Sequence, residues 1–441
     1  MYKAKDRKTP YLFEELFPFG GKLDENNRWL RIAELIPWDE LEGSYRSYFS
    51  HTGRPAKDGR LVIGLLLLKH MTNVSDEEMV QLLRENIYFQ AFCGFEHFVT
   101  NRVLDSSTLS KARDRLGVEY FRQLEEKTYS VLIERRIIRG KGLLVDATVF
   151  PQNIKYPTDV GLLNDVRQWL VGQVKTLGRR VDKNYRTYCR KAKAVYLGFS
   201  KKRRKTNKVV REVTRKMIQY VRRNLAQMKE AAGLLASTGE QIKKAVAKKL
   251  AVAEKIYQQQ LFMYQNKTHR IAERIVSFHR EYVRPIKRGK AGKKVEFGPK
   301  AAVSHVDGFL FLDRISHDNF SEADTPIVEE QIASYEKRFG KKPPSLTADN
   351  LYGTRANRQL VQEQQIRGAF KPLGRRPKAA HPPDRWFKAK QRERNRIEGH
   401  LGHGKQHFRL DRILYDGEDG SELWVRAGIL GMNLKRALAR M

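Results

Sequence analysis

Two apolar runs, AAVSHV (301–306) and FLFLDRI (309–315), are separated only by Asp307-Gly308. Asp-Gly between two such runs is the strongest short-range signal for a β-hairpin. It fixes a pair of antiparallel strands, and it makes Asp307 a turn residue rather than a metal ligand. Around this hairpin the apolar period switches repeatedly between strand and helix. A strand run at 141–150 comes first, with Lys141-Gly142 before it and Pro151 after, followed by a long helical stretch, about 158–283. Beyond the hairpin come a helix (about 323–339), a strand (345–349), a helix (354–365) and a strand (367–371). A basic Pro-rich link, KPLGRRPKAAHPP (371–383), leads to a helix carrying Glu398 and a C-terminal helix, about 421–439.

Residues 1 to about 138 read as helical. Asp58–Met71 is apolar on most faces and reads as a buried helix. SDEEMVQLLREN (75–86) starts with Ser75 as N-cap and acids in the first turn, and DSSTLSKARDRLG (105–117) has the same form with Gly117 as its stop. A helix-turn-helix-like unit and an ordinary helical bundle both satisfy this pattern. In the long helical stretch, Leu162, Leu163, Val166, Trp169, Leu170 and Val174 follow helical spacing, which makes Trp169 core rather than a base-stacking platform. Ile242, Val246, Leu250 and Ala253 form a second stripe of the same kind.

Apart from the helical insertion after the first strand, this is the element order of the ribonuclease-H-like α/β fold. The expected architecture is an α/β ribonuclease-H-like core on a mixed five-stranded sheet, with a helical N-terminal domain and a large helical insertion. The boundaries read as 1–138 for the N-terminal helices, 139–157 for the first part of the core, 158–290 for the basic insertion and 291–441 for the remainder.

Charge decides the partner. The chain has 86 Lys+Arg against 50 Asp+Glu, a net charge of +36. Such a chain attracts polyanions, chiefly nucleic acid. Between Arg179 and Arg223 there are 18 Lys+Arg and 2 Asp+Glu, and KKRRKTNKVVREVTRK (201–216) lies within that span. Cys93 and Cys189 provide neither a disulfide framework nor zinc-finger spacing. MYKAKDRKTPYLFEELF lacks the apolar core of a secretory signal, and LVIGLLLL (61–68) is far short of a membrane span. The expectation is a soluble, cytoplasmic protein with no membrane partner.

Within this basic chain three carboxylates stand out. Asp146 lies in KGLLVDATVF and Asp349 in PSLTADNLYG, each ending an apolar strand run, while Glu398 lies in the helical RERNRIEGHLGHGK. Arg394 is four residues before Glu398 and Lys405 seven after, so the three share one helix face. The topology brings such elements together at strand ends, where ligands of open α/β sheets gather. Hard carboxylate oxygens with no Cys or His cluster fit Mg²⁺ or Mn²⁺ better than zinc. Two such ions support phosphoryl transfer, with Arg394 and Lys405 neutralising the phosphate. His400, His403 and His407 read as surface or phosphate-contacting residues. Gly402 and Gly404 mark either close backbone approach to DNA or a fraying helix.

At these residues the chain resembles bacterial insertion-sequence transposases of the DDE, cut-and-paste type, over nearly its whole length. The resemblance includes GRPAKDGRLVIGLLLL, LVDATVFPQNIKYPTDVGLLNDVR, KVEFGPKAAVSHVDGFLF, TADNLYG and RNRIEGHLGHGK. The family's third block is commonly Tyr-x2-Arg-x3-Glu-x6-Lys. Arg394, Glu398 and Lys405 keep that spacing, but Gln391 stands where the family has tyrosine. The resemblance implies that Asp146, Asp349 and Glu398 hold two Mg²⁺ ions, with Mn²⁺ as a substitute. It implies cleavage at transposon ends and attack of the freed 3′-hydroxyl on target DNA. Arg394 and Lys405 would grip the phosphate near the cut. The N-terminal helices would read the terminal inverted repeats, and Lys201, Lys202, Arg203 and Arg204 of the insertion would add grip on double-stranded DNA. Paired ends imply a homodimer on DNA at the bacterial nucleoid. A ribonuclease-H-like nuclease without strand transfer and a non-catalytic DNA-binding protein are the alternatives.

Overall fold

A computed structural model describes residues 18–50, 52–287, 295–374 and 384–441. The N-terminal segment read for a secretory signal (1–17) and most of the Pro-rich link (375–383) lie outside the described residues. The chain divides into two compact units, Met1–Gln152 with Pro299–Met441, and Asn153–Gly298.

The first unit begins with α1 (Arg28–Ala33), α2 (Trp38–Arg46), α3 (Gly59–Thr72), α4 (Asp76–Glu85), α5 (Ile87–Phe92) and α6 (Ser106–Glu134), which lead to β1 (Leu143–Val149). Side-chain caps set several of the starts. Asp58 accepts from Leu61 N–H at 3.0 Å, Ser75 from Glu78 N–H at 3.1 Å and Asp105 from Ser107 N–H at 2.9 Å. Gly117, at φ 63° and ψ −173°, breaks the helical path, but the chain resumes helix at once. The expected stop is therefore a break inside a longer helix. The two helices considered for a helix-turn-helix are not consecutive, because α5 and residues 93–105 lie between them. They pack as members of a helical bundle.

The second unit holds α7 (Asp159–Arg180), α8 (Cys189–Lys201), α9 (Asn207–Ser237) and α10 (Lys244–Gln265), then β2 (Pro285–Lys287) paired antiparallel with β3 (Val295–Phe297). Leu163, Val166, Leu170 and Val174 of α7 pack against Met217, Val221 and Met228 of α9, with Ala253 and Ile256 of α10. Trp169 packs on this cluster and meets Phe278 edge-on at 5.5 Å, a core role. Helix ends at Gln265, short of the expected 283. The Gln259 amide binds the Glu273 carbonyl and the Ile275 N–H, both at 3.0 Å. It thereby satisfies backbone groups that a continued helix would have paired internally.

Returning to the first unit, β4 (Lys300–Val306) and β5 (Phe309–Ser316) form the hairpin. They are followed by α11 (Thr325–Phe339), β6 (Ser345–Thr347), α12 (Arg355–Glu363), β7 (Arg367–Ala369), α13 (Arg385–His407) and α14 (Gly417–Leu438). The sheet order is β5-β4-β1-β6-β7. β1, β4 and β5 pair antiparallel, whereas β6 and β7 run parallel to β1. This mixed five-stranded sheet with its helices is consistent with the ribonuclease-H-like core. Asp307 and Gly308 occupy the turn at φ 51° and 91°. The Asp307 carboxylate also accepts from the backbone N–H groups of Arg139 and Gly140 at 2.7 and 2.8 Å, tying the entry to β1 to the turn.

The N-terminal helices have no core of their own. Leu65, Leu109 and Leu124 share one apolar cluster with Val145, Phe311 and Leu430. Polar stitches cross it. Buried Arg426 of α14 pairs with buried Glu125 of α6, and the Asn433 amide of α14 spans Leu310 and Tyr129.

Candidate active site

Alternation along β1 places Asp146. Leu143 and Val145 join the core beneath the sheet, whereas Leu144 packs with Ile397 and Leu401 of α13. Asp146 shares parity with Leu144, so it lies on the α13 side, opposite Val303 of β4. Its Oδ1 accepts from Ala147 N–H at 2.8 Å. Parallel pairing sets Leu144 beside Thr347, and Asp349 follows two residues later. Asp349 caps a short 3-10 turn, Asn350–Tyr352, by accepting from Asn350 N–H at 2.5 Å.

Helix α13 lies over this end of the sheet. Asp384 caps it by accepting from Phe387 N–H at 2.6 Å, and Ile397, Leu401 and Gly404 form its buried seam. Gln391 donates to the Ala369 carbonyl at 2.9 Å and so fastens the helix to β7. Position 391 thus carries an anchoring amide. Arg394 Nη1 lies 3.6 Å from Asp349 Oδ1. Glu398, one turn on, is exposed to solvent. The Lys405 ammonium donates to the Val149 carbonyl at 2.9 Å and the Thr148 hydroxyl at 3.3 Å, at the end of β1. Three elements distant in sequence are thereby gathered around one end of the sheet.

Electrostatics follow from that gathering. Burial, chiefly, raises the Asp146 carboxyl above its ordinary value, and the charges of Asp349 and Glu398 push the same way. The Ala147 N–H and Arg394 oppose them. Tyr352 was missed in the sequence, where its only signal is its place in TADNLYG. Its hydroxyl is buried without a hydrogen-bond partner among the described residues. Burial raises it well above its ordinary value, and Asp146 is the leading charge acting on it.

The donor chemistry suits a hard divalent cation, since the three groups are all carboxylates and Asp146 suffers from their mutual repulsion. Among the described residues, however, no three His, Cys, Asp or Glu side chains stand close enough to hold one ion together. Arg394 takes up one side of Asp349 instead.

Other residues singled out in the sequence fall elsewhere. His400 is not a surface histidine. Its ring lies between His305 Nε2 at 2.5 Å and Arg436 Nη1 at 2.7 Å, and burial lowers it to about 4. His403 and His407 are exposed and stack on each other at 4.6 Å. Gly404 faces the protein interior, not DNA, because an added Cβ would meet Leu410 at 3.0 Å and Met432 at 3.4 Å. Lys201 ends α8, and Lys202, Arg203 and Arg204 form the exposed connection to α9 in the second unit.

Residues 17–115 match the family described as a transposase domain (DUF772), and residues 346–433 match the transposase DDE domain. The chain belongs to the insertion-sequence DDE transposases. The second match contains Asp349 and Glu398 but not Asp146. A Rhizobium meliloti relative, named uncharacterized protein ORF8 in the nfe locus, is 34% identical over 166 residues, covering 37% of this chain and 80% of that protein. No solved structure gives a significant match. Among the described residues no helix is long and apolar enough to cross a membrane.

Proposed function

We propose that this transposase cuts DNA at the ends of its insertion sequence and joins the freed 3′-hydroxyls to target DNA, with Asp146, Asp349 and Glu398 as its metal ligands. One observation carries the reading. In a chain with both transposase regions, Asp349 after β6 and Glu398 on α13 lie near enough to Asp146 on β1 for their charges to raise its carboxyl. Two Mg²⁺ or Mn²⁺ ions held there would supply an activated water or 3′-hydroxyl and steady the leaving oxygen. The chain's own residues prepare the site. Asp146 is held on the strand by its bond to Ala147, and Asp349 is held by its turn. Arg394 exchanges Asp349 for the substrate phosphate, which frees that carboxylate to ligate. Lys405, fixed at the end of β1 on Thr148 and Val149, adds positive potential two to three residues from Asp146. Helices α1–α6 read the terminal repeats, and Lys201, Lys202, Arg203 and Arg204 hold further backbone phosphates. Two copies pair the ends.

The test uses labelled end DNA with Mg²⁺ and a supercoiled target. Asp146→Asn, Asp349→Asn and Glu398→Gln should each abolish cleavage while leaving DNA binding in place. Full cleavage by any of them removes that residue from the site. Cut ends that never join to plasmid identify a nuclease and overturn the transfer step.

A further inference from the structure

At the start of β1 the first unit forms an open cavity of about 470 Å³. Its walls come from the connection between α6 and β1, the β4–β5 turn, α13 and α14. Seven of its lining residues are cationic and two are acidic. The acids do not neutralise that excess. Glu393 pairs with Lys390 at 2.9 Å, and Asp307 spends its carboxylate on backbone N–H groups. Arg136, Arg139, Lys141, Arg396, Arg436 and Arg440 therefore face the cavity with no carboxylate partner among the described residues. Burial and repulsion from Arg440 and Arg396 both work against the Arg436 charge.

A hydrogen-bond chain ends at the same place. An arginine only donates, so His400 Nε2 accepts from Arg436 at 2.7 Å. The His400 hydrogen then sits on Nδ1 and is donated to His305 Nε2 at 2.5 Å. That assigns the His305 hydrogen to Nδ1, a buried atom with no partner. Arg436 Nε is likewise buried and unpaired. Both rings are neutral, since burial lowers His305 to about 3 and His400 to about 4. Gly308 leaves the space that the Arg436 guanidinium fills, where any Cβ would collide with it. Six cations without a carboxylate partner, with no acceptor left over from the histidine chain behind them, make a seat for a phosphate-bearing anion.

We propose that this cavity binds backbone phosphates of DNA, on the strand a few nucleotides from the phosphodiester at the carboxylates. The charge excess is too large for one small anion, and the cations are spread over the α6–β1 connection, α13 and the C-terminal end of the chain. Leu144 lines the cavity, and Asp146 lies two residues on along the same face, about 7 Å at the rise of a strand. Helix α13 supplies Arg396 and His400 to the cavity and Arg394 and Glu398 to the carboxylates. At about 100° per residue, Arg396 and His400 lie about 200° around α13 from Arg394 and Glu398, so a DNA strand that reaches both sites, with a charge about every 3.4 Å of duplex axis, crosses the outer face of the helix. What lies at the carboxylates rests on the function proposed above; the cavity's affinity for phosphate does not.

The test measures full-length protein binding a fluorescent end duplex at several salt concentrations without divalent metal. The triple variant Arg136→Gln, Lys141→Gln, Arg396→Gln removes three exposed cations that make no side-chain bond among the described residues. Its log–log salt slope should be shallower by about 2.7, at about 0.9 per lost contact. Its melting temperature should not fall, because repulsion is relieved. Asp146→Asn should keep the wild-type slope, which separates this site from the metal site. An unchanged slope in the triple variant overturns the proposal. So does a triple variant that loses inorganic pyrophosphate, followed by competition at matched ionic strength, yet still binds DNA as wild type. As a second variant, Gly308→Ala should displace Arg436 and flatten the slope by about one contact. If it does not, Arg436 is no part of the seat.

Discussion

Replacing Asn433 with leucine tests how the helical part of the first unit is joined to its sheet. β5 is an edge strand, and Leu310 there points its N–H and C=O away from β4. The Asn433 amide meets both, accepting from Leu310 N–H at 3.1 Å and donating to its carbonyl at 2.6 Å. It also donates to the Tyr129 hydroxyl of α6 at 2.9 Å. One fully buried amide thus stands in for a neighbouring strand and ties α14 to β5 and α6. Leucine keeps the volume and removes every bond. Three buried polar groups lose a partner at about 1–3 kcal/mol each, so Asn433→Leu should cost roughly 3–9 kcal/mol. Urea unfolding followed by tryptophan fluorescence and circular dichroism reads this directly. Adding Tyr129→Phe to Asn433→Leu removes one stranded hydroxyl and should recover about 1 kcal/mol. A loss below about 1 kcal/mol for Asn433→Leu, or no recovery in the double variant, refutes the reasoning.

Three further outcomes are expected. Neutralising Lys201, Lys202, Arg203 and Arg204 to glutamine should weaken DNA binding and flatten its salt slope by somewhat under one unit per lost contact; an unchanged slope means these exposed charges are merely solvated. Lys69, buried between α3 and α4 and paired with Asp76 at 2.6 Å, is lowered from 10.5 to about 8, mainly by burial. A lysine lowered on folding favours the native state above its unfolded value and loses that advantage as pH falls through the folded one. The stability of wild type relative to Lys69→Met should therefore rise between about pH 8 and 10.5; parallel melting curves contradict this. Removing buried Arg426 as Arg426→Leu strands the Glu125 charge and should destabilise by about 3–5 kcal/mol in urea, whereas the paired change with Glu125→Leu should recover most of it.

Legibility in the sequence followed the range of the forces involved. The Asp307-Gly308 turn, the caps at Ser75 and Asp105, and the stripe on α7 are local, and they were readable because propensity and periodicity act within one element. Placing Asp146 on the first strand and Asp349 at the end of a later one followed from element order. What escaped depends on tertiary partners. Nothing near Gln259 announces that its side chain will hold Glu273 and Ile275 and so end the helix early. Gly404 looks like a site of approach until Leu410 and Met432 are seen against it. His400 looks like a surface residue until β4 brings His305 beneath it. The cavity at the start of β1 draws its charge from the α6–β1 connection, α13 and the C-terminal end of the chain at once, and no sequence window contains them together.

Direct ligation is best tested by exchanging oxygen for sulfur at each carboxylate. Asp146→Cys, Asp349→Cys and Glu398→Cys should be inactive on end DNA in Mg²⁺, because a thiolate is a poor ligand for so hard an ion. If these three side chains close on metal when DNA binds, a softer ion such as Mn²⁺ or Cd²⁺ should restore cleavage in the thiol variants and not in the matching alanine variants. Thiol variants that bind DNA normally yet stay inactive in every metal would contradict the account, as would one that cleaves at the wild-type rate in Mg²⁺.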